Sequence, residues 1–259
     1  MKSATSAAIA TLVLSSFSWA ANDAFDKGMK AISARDYPAG LSLLESALTQ
    51  EPDNLQFGSE YRQAILKYAR KIHPKEGQPA DFDRSLKFFE GLMAKNAGAA
   101  NGWLNFGFAV VDKIPAAGAI SQVILANSAL SYFTKSIEAK PSWIAYYTRG
   151  VSYLFWPKIF GRAPLAVADL ELAMKMQKTL PPRGIYVRGY VALGDAYWKN
   201  DELDKARAMW SEGLKLFPDS TQLKDRLAKQ GDDLKTYLDD VMDPSKRVDT
   251  DLKDLWTTK

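Results

Sequence analysis

The sequence predicts an all-α protein built from consecutive helix pairs, each of which packs against the next. Apolar residues recur at helical spacing along most of the chain, and no stretch shows the two-residue alternation of a β-strand. A pattern of small and large residues also repeats with a period close to 34 residues, a length typical of stacked helix–turn–helix units. The last helix has one apolar and one charged face, as expected for the cap of a helical-repeat array.

The clearest copy of this pattern is the fifth, near the end of the chain. Its repeat positions are Tyr190, Leu193, Gly194, Tyr197, Ala206, Trp210, Gly213 and Pro218. This spacing resembles the tetratricopeptide repeat (TPR), in which small side chains let two helices approach closely. The proline ends the second helix, because it cannot continue one. The resemblance implies a TPR-like right-handed α-solenoid of about five helix pairs plus a C-terminal capping helix.

Four earlier copies of the repeat are less regular. Unit 2 is degenerate and contains a polar loop, unit 3 has a second helix lengthened by about two turns, and unit 4 carries the insertion 155–162. We predict a signal peptide at 1–20, a helical-repeat domain at 21–242 and a mobile C-terminal tail at 243–259. Within the domain, the predicted units are 21–54, 55–99, 100–142, 143–186 and 187–220, followed by a capping helix at 221–242.

The N-terminus has the features of an export signal. Lys2 precedes a short apolar run from Ala7 to Phe17, and Ser18-Trp19-Ala20 forms a small-x-small cleavage motif. We expect cleavage before Ala21, with an uncleaved anchor as the alternative. The chain has no cysteine, which excludes a lipid-anchored lipoprotein and fits an exported protein of the bacterial periplasm.

Charge and composition argue against several classes of function. The formal net charge is +4, from 34 bases and 30 acids, and falls to about +3 once Lys2 is removed. This charge is too small and too mixed to indicate nucleic-acid binding. The single histidine, His73, is expected to be a solvated loop residue, and the absence of cysteine excludes thiol catalysis. The sequence therefore predicts a protein that is not an enzyme and has no cofactor or metal.

The resemblance to TPR proteins also implies which side chains face the concave side of the array. In this family those positions lie on the first helix of each unit. Here they are mostly apolar or aromatic, unlike the Lys, Arg and Asn of peptide-tail clamps. The nine candidate partner- or ligand-binding residues, termed the inner-face residues below, are Leu104, Phe108, Ile144, Tyr147, Val151, Arg188, Val191, Asp195 and Trp198.

A contiguous apolar surface left in water is unusual for a soluble monomer, so something is expected to cover these residues. Internal cover would come from the capping helix, the tail with Trp256 or a neighbouring unit. External cover would come from a partner helix, an apolar small molecule or an acyl chain. The sequence alone leaves both possibilities open.

The insertion in unit 4 is a possible secondary site. It combines three aromatic residues with basic ones, an arrangement that could hold an amphipathic anion. Alternatively, the aromatics plug the end of the solenoid while the bases remain solvated. The residues of this candidate site are Arg149, Trp156, Lys158 and Arg162.

We expect a periplasmic TPR-type scaffold or adaptor that binds a protein partner of the cell envelope through its concave surface. The alternative is an apolar small-molecule or acyl-chain binding protein that uses the same groove. That alternative draws on an architectural resemblance to the periplasmic TPR subunit (T component) of TRAP transporters, which have an apolar cavity. Phe160-Gly161 is similar in placement to their glycine-containing insertion, but Arg162 replaces the second glycine and the lipid-anchor cysteine is missing.

Overall fold

The computed structural model describes residues 4–74, 77–244 and 250–257, and every regular element in these ranges is helical. The predicted all-α fold is thereby confirmed. Parts of the predicted signal peptide, including Lys2, and of the predicted tail lie outside the described residues. The helices are α1 (Ala4–Ser33), α2 (Tyr37–Gln50), α3 (Leu55–Ile72), α4 (Asp83–Lys95), α5 (Ala100–Lys113), α6 (Ala119–Ala139), α7 (Trp143–Leu154), α8 (Ala163–Gln177), α9 (Val187–Lys199), α10 (Leu203–Leu216), α11 (Thr221–Ala228), α12 (Gly231–Val241) and α13 (Asp254–Thr257).

Four helix pairs pack closely: α1 with α2, α5 with α6, α7 with α8, and α9 with α10. In each pair a glycine of the first helix faces a large side chain of the second. A Cβ atom on any of these glycines would lie 3.0 Å or less from that neighbour, so a glycine is required for the helices to approach this closely. The facing residues are Gly28 and Leu44, Gly107 and Phe133, Gly150 and Leu170, and Gly194 and Trp210.

Unit 2 departs from this arrangement. Its first helix, α3, has Arg62 at the eighth position of the unit, where the other four units have glycine. The following helix, α4, lies beyond a 3₁₀ turn at Pro79–Phe82 and meets α3 through large aromatic rings. The Tyr61 ring lies 5.2 Å from Phe88 and 5.8 Å from Phe89, in edge-to-face contacts. The degeneracy of this unit in sequence therefore corresponds to a wider separation of its two helices.

The second helix of unit 3 is lengthened, as the sequence predicts. It has 21 residues, whereas α2 and α10 have 14 each. The additional N-terminal turns of α6 carry three exposed aliphatic side chains: Ile120, Val123 and Ile124 are 82%, 49% and 61% exposed.

The predicted capping helix is two helices rather than one. Lys229 and Gln230 have extended backbones between α11 and α12, and Gly231 follows with a φ of 49°. Glycine adopts this left-handed conformation at little cost, which allows the chain to turn. The break is also stabilised by Arg207, whose guanidinium donates to the Lys229 carbonyl. Leu223, Leu234 and Leu238 remain buried in one apolar cluster, so the predicted apolar stripe is kept in the core.

The chain forms two compact units. Among the described residues, one unit contains those from 4 to 139 together with Thr250–Leu252, and the other contains 140–244 together with 253–257. We call them the N-terminal and C-terminal units; each is larger than the repeat units 1 to 5 described above. The predicted mobile tail thus contributes to both, because Thr250 and Leu252 are 4% and 5% exposed and Asp254–Thr257 is helical. Among the described residues, we find no helix with the length and apolarity needed to cross a membrane.

The glycine contacts give a direct test of the helix-pair geometry. In Gly194→Ala, the new Cβ would lie 2.1 Å from Nε1 of the fully buried Trp210. We expect overpacking to lower the free energy of unfolding by about 1–3 kcal/mol, measured by urea denaturation. Gly91→Ala is the matched control, because Gly91 also lies within a helix and a Cβ there meets nothing within 4 Å. The control should stabilise the protein by up to about 1 kcal/mol. Equal effects of the two substitutions would contradict the proposed packing.

Candidate functional site

The two inner-face residues of the N-terminal unit lie in its interior. Leu104 is fully buried and Phe108 is 7% exposed. The Phe108 ring packs edge-on against Phe133 at 5.4 Å between centroids, and the Arg62 guanidinium lies 4.8 Å from its centre. Other parts of the same unit therefore cover these two side chains, as in the internal alternative.

On α7, by contrast, the inner-face residues are only partly buried. Ile144, Tyr147 and Val151 follow one another at helical spacing and pack at the edge of the apolar core of the C-terminal unit. The Tyr147 ring stacks on Trp143 at 5.1 Å. Burial raises the pKa of Tyr147 to about 12, while the charge of Arg188 opposes the rise. The Tyr147 hydroxyl is thus held in the interior, whereas part of the α7 apolar surface stays in contact with solvent.

The inner-face residues of α9 are of two kinds. Val191 and Asp195 are buried, and Arg188 and Trp198 are partly exposed. The Arg188 guanidinium donates to the carboxylate of Asp254 at 2.6 Å, and Arg183 donates to the backbone carbonyl of Leu255. The beginning of α13 therefore contacts Arg183, which precedes α9, and Arg188, which lies on α9.

Asp195 is part of a buried ion pair. Its two carboxylate oxygens accept hydrogen bonds from Arg226 at 2.6 and 2.7 Å, and both side chains are almost completely buried. Burial raises the pKa of Asp195, and the positive charge of Arg226 opposes that rise. The same guanidinium also donates to the Tyr237 hydroxyl on α12. This geometry gives Asp195 a structural role, which is to hold α11 and α12 against α9.

The basic residues of the predicted secondary site each make a contact within the protein. The Arg149 guanidinium makes a bidentate ion pair with Asp169 at 2.7 and 2.8 Å. The Arg162 guanidinium lies 4.9 Å from the centre of the buried Trp156 ring, and Lys158 pairs with Asp201. Each base thus has a partner within the protein, and the four side chains do not converge on one anion site. Trp156 and Lys158 instead contribute to a neighbouring pocket.

This pocket lies within the C-terminal unit and has a volume of about 580 Å³. Its apolar lining includes Trp156 and Trp198, and its charged lining consists of three lysines and four aspartates. Burial lowers the pKa of Lys199, whose ammonium donates to the carbonyl of Leu154. The lining residues are Phe155, Trp156, Pro157, Lys158, Trp198, Lys199, Asp201, Gly231, Asp232, Lys235, Asp239, Met242, Asp243 and Pro244.

A polar cluster that the sequence analysis did not identify surrounds Arg62 in the N-terminal unit. The Arg62 guanidinium pairs with the Asp112 carboxylate at 2.9 Å, donates to the Asn105 side chain at 3.1 Å and stacks on Phe108. Arg62, Asn105 and Asp112 are all at most 5% exposed. We call these four residues the Arg62 cluster. The signal that could have revealed it is the arginine at the eighth position of unit 2, where the other units have glycine.

The Arg62 cluster binds a segment from near the end of the chain. Arg62 Nη2 donates to the backbone carbonyl of Thr250 at 3.0 Å, and the Thr250 hydroxyl donates to the Asp112 carboxylate. Residues 250–252 have no regular secondary structure, and Leu252 is buried in the same unit. The cluster thus recognises both a backbone group and a side-chain group of a non-helical segment.

The contacts of His73 stabilise the loop between α3 and α4. Its Nδ1 lies 2.9 Å from the carboxylate of Asp81, which also accepts from the backbone N–H of Gln78 at 2.6 Å. Among the described residues, no group of three or more His, Asp or Glu side chains is placed to hold a metal ion.

The buried ion pair gives a second test. Asp195→Asn should leave the Arg226 charge buried without its counter-ion and lower the free energy of unfolding by about 3–5 kcal/mol in urea denaturation. Asp201→Asn is the control, because the Lys158–Asp201 pair is largely solvent-exposed. We expect little change in the control, since exposed ion pairs contribute little to stability. A small loss in Asp195→Asn would contradict the structural role assigned to this residue.

Comparison with known proteins agrees with this architecture. A family sequence model described as a tetratricopeptide repeat matches residues 187–229, which contain the α9–α10 pair. No curated protein matches the chain. The crystal structure of TTC0263, a thermophilic TPR protein of Thermus thermophilus, aligns with 81% of this chain and 97% of its own, with 20% identity and a TM-score of 0.52. A crystal structure of MamA protein covers 82% of this chain and 96% of its own, with 13% identity and a TM-score of 0.49.

At this level of identity, the likeness to TTC0263 establishes the fold alone. The match at residues 187–229 independently falls on the unit whose residues carry the TPR spacing. The chain therefore contains one segment, residues 187–229, that matches the tetratricopeptide repeat, and its fold is similar to that of a TPR protein.

Proposed function

We propose that this chain is an exported, non-enzymatic scaffold that binds a protein partner of the cell envelope through the inner face of its repeats. The fold supports this function, because TPR scaffolds act through protein–protein contacts and are generally not enzymes.

The observation that carries the proposal is the partly exposed apolar surface of α7. Ile144, Tyr147 and Val151 are spaced so that they lie along one side of the helix. Each packs at the edge of the core, yet each leaves part of its apolar surface in contact with water. A row of this kind is a suitable contact for the apolar side of a partner, because covering apolar surface is favourable.

Two observations support the export part of the proposal. The first is the signal-like pattern before Ala21, together with the absence of cysteine. The second is the packing of α1 from Ala21 onward. Ala21 is fully buried, and the Phe25 ring stacks on Phe57 at 4.3 Å, whereas Trp19 is 73% exposed. Removal of residues 1–20 would therefore retain the contacts that attach α1 to the repeats.

The second candidate function is small-molecule binding, and the pocket next to α12 is the observation that favours it. Its volume of about 580 Å³ lies within the range typical of small-molecule sites. Its charged lining is a poor match for the acyl chain considered from the sequence, but it suits a polar molecule with an aromatic ring. Native mass spectrometry of gently purified protein would show a bound mass, and Trp198→Ala should weaken its retention. A ligand-free spectrum of protein from its native host would count against this candidate.

The binding face can be tested by site-specific photo-crosslinking in the native host. A benzoylphenylalanine residue at Val151 should crosslink to an envelope protein, because this position is on the proposed contact surface. The same residue at Leu172 is the control, since Leu172 lies on the second helix of the pair and is 42% exposed. Mass spectrometry of the adducts would identify the partner. Equal labelling from both positions, or no adduct from Val151, would argue against the α7 face.

The export proposal has its own test. We expect N-terminal sequencing of the protein isolated from its native host to begin at Ala21, and cell fractionation to place it in the periplasm. A protein that starts at Ala21 should also melt at the same temperature as the full chain, because the Phe25–Phe57 contact is retained. Recovery of native protein that still begins at Met1 would exclude cleavage.

A further inference from the structure

The Arg62 cluster is already formed by α3 and α5, without any contribution from the tail. Arg62 contacts Asp112, Asn105 and Phe108 through the ion pair, the hydrogen bond and the ring contact described above. Residues 250–252 add the carbonyl and hydroxyl bonds of Thr250, and Leu252 is buried in the same unit. The cluster is thus a preformed polar surface on which a short segment is bound.

We propose that the Arg62 cluster is a peptide-binding site, that residues 250–252 are its intramolecular occupant, and that a partner's segment binds there by displacing them. This inference rests on the proposed scaffold function and adds the chemistry of the partner and its regulation. The site takes a non-helical segment with Thr or Ser at one position and an aliphatic residue two positions later. In the resident segment these residues are Thr250 and Leu252.

Each element of this specificity follows from a contact. The Arg62 N–H that donates to the Thr250 carbonyl requires a backbone acceptor, which any residue supplies. The Asp112 carboxylate accepts from the Thr250 hydroxyl and therefore selects Thr or Ser over Val. The burial of Leu252 selects an aliphatic side chain at that position.

The charge of the cluster indicates an internal segment rather than a free C-terminus. The positive charge of Arg62 is neutralised by its buried pair with Asp112 at 2.9 Å. A peptide carboxylate would add an uncompensated negative charge to this buried site, which is costly. A backbone carbonyl and a hydroxyl satisfy the same hydrogen-bonding groups without adding charge.

Residues 250–252 are covalently attached to the protein, and this attachment determines how strongly they compete with an external peptide for the Arg62 cluster. A tethered segment competes at an effective concentration that is commonly millimolar for short linkers. If it occupies the site for about 90–99% of the time, its release should raise the affinity for an external peptide by about 10- to 100-fold. The tail would thus restrict binding to segments that match the site well.

The test uses a fluorescein-labelled peptide with the sequence of residues 248–254, Val-Asp-Thr-Asp-Leu-Lys-Asp. Its binding to the full chain is measured by fluorescence anisotropy, for the unmodified protein and for the double variant Thr250→Val/Leu252→Ser. We expect the double variant to bind the probe at least tenfold more tightly. Equal affinities, or no binding to a double variant that retains the helical circular dichroism of the unmodified protein, would overturn the proposal.

Specificity is tested in the peptide, so that no further change is made to the protein. A probe with Val in place of Thr should lose about tenfold or more in affinity for the double variant, whereas a probe with Ser should retain it. If the Val probe binds as well as the original, the assigned role of Asp112 is wrong. If the unmodified protein is a dimer that the double substitution converts to a monomer, the occupant comes from a second copy and the intramolecular assignment is overturned.

Photo-crosslinking at Val151 separates this inference from the proposed function. If Val151 yields its partner adduct but the probe does not bind the double variant, the scaffold function stands and the Arg62 site fails. If the probe binds but Val151 yields no adduct, the peptide site stands and the α7 contact surface fails.

Discussion

The close approach of paired helices is the constraint on which most of this fold depends. In four of the pairs, a glycine on the first helix faces a large side chain on the second, and there is no room for even a methyl group. The large side chain then fills the space that the glycine leaves, which gives the pair a dense interior. The arrangement explains why the most recognisable residues of the repeat are its glycines and aromatics.

The proposed peptide-binding site lies in the one repeat whose two helices do not approach closely. At the equivalent position of α3 the residue is Arg62, and α4 lies too far away to pack as the other second helices do. A buried guanidinium requires a counter-charge and acceptors for its N–H groups. Asp112 and Asn105 on α5 supply them, and the Thr250 carbonyl accepts from the remaining Nη2 atom. One departure from the repeat thus creates a recognition site for peptide groups.

The sequence was sufficient for the fold class, because this follows from local periodicity and from the spacing of small residues. It also predicted the lengthened α6. It did not predict the break between α11 and α12, since the apolar stripe continues through it and only Gly231 marks the turn. Nor did it predict that Asp195 pairs with Arg226 or that Thr250 meets Arg62. These contacts join residues that are distant along the chain, which a periodic pattern does not encode.

The distance between Arg62 and Thr250 along the chain has a consequence for biosynthesis. Contacts in helical repeats are mostly local, so the N-terminal helix pairs can form while the rest of the chain is still being made. Thr250 lies 188 residues after Arg62 and is therefore synthesised long after it. The Arg62 cluster can therefore form before its own tail has been made. During that interval the site is open to other polypeptide segments.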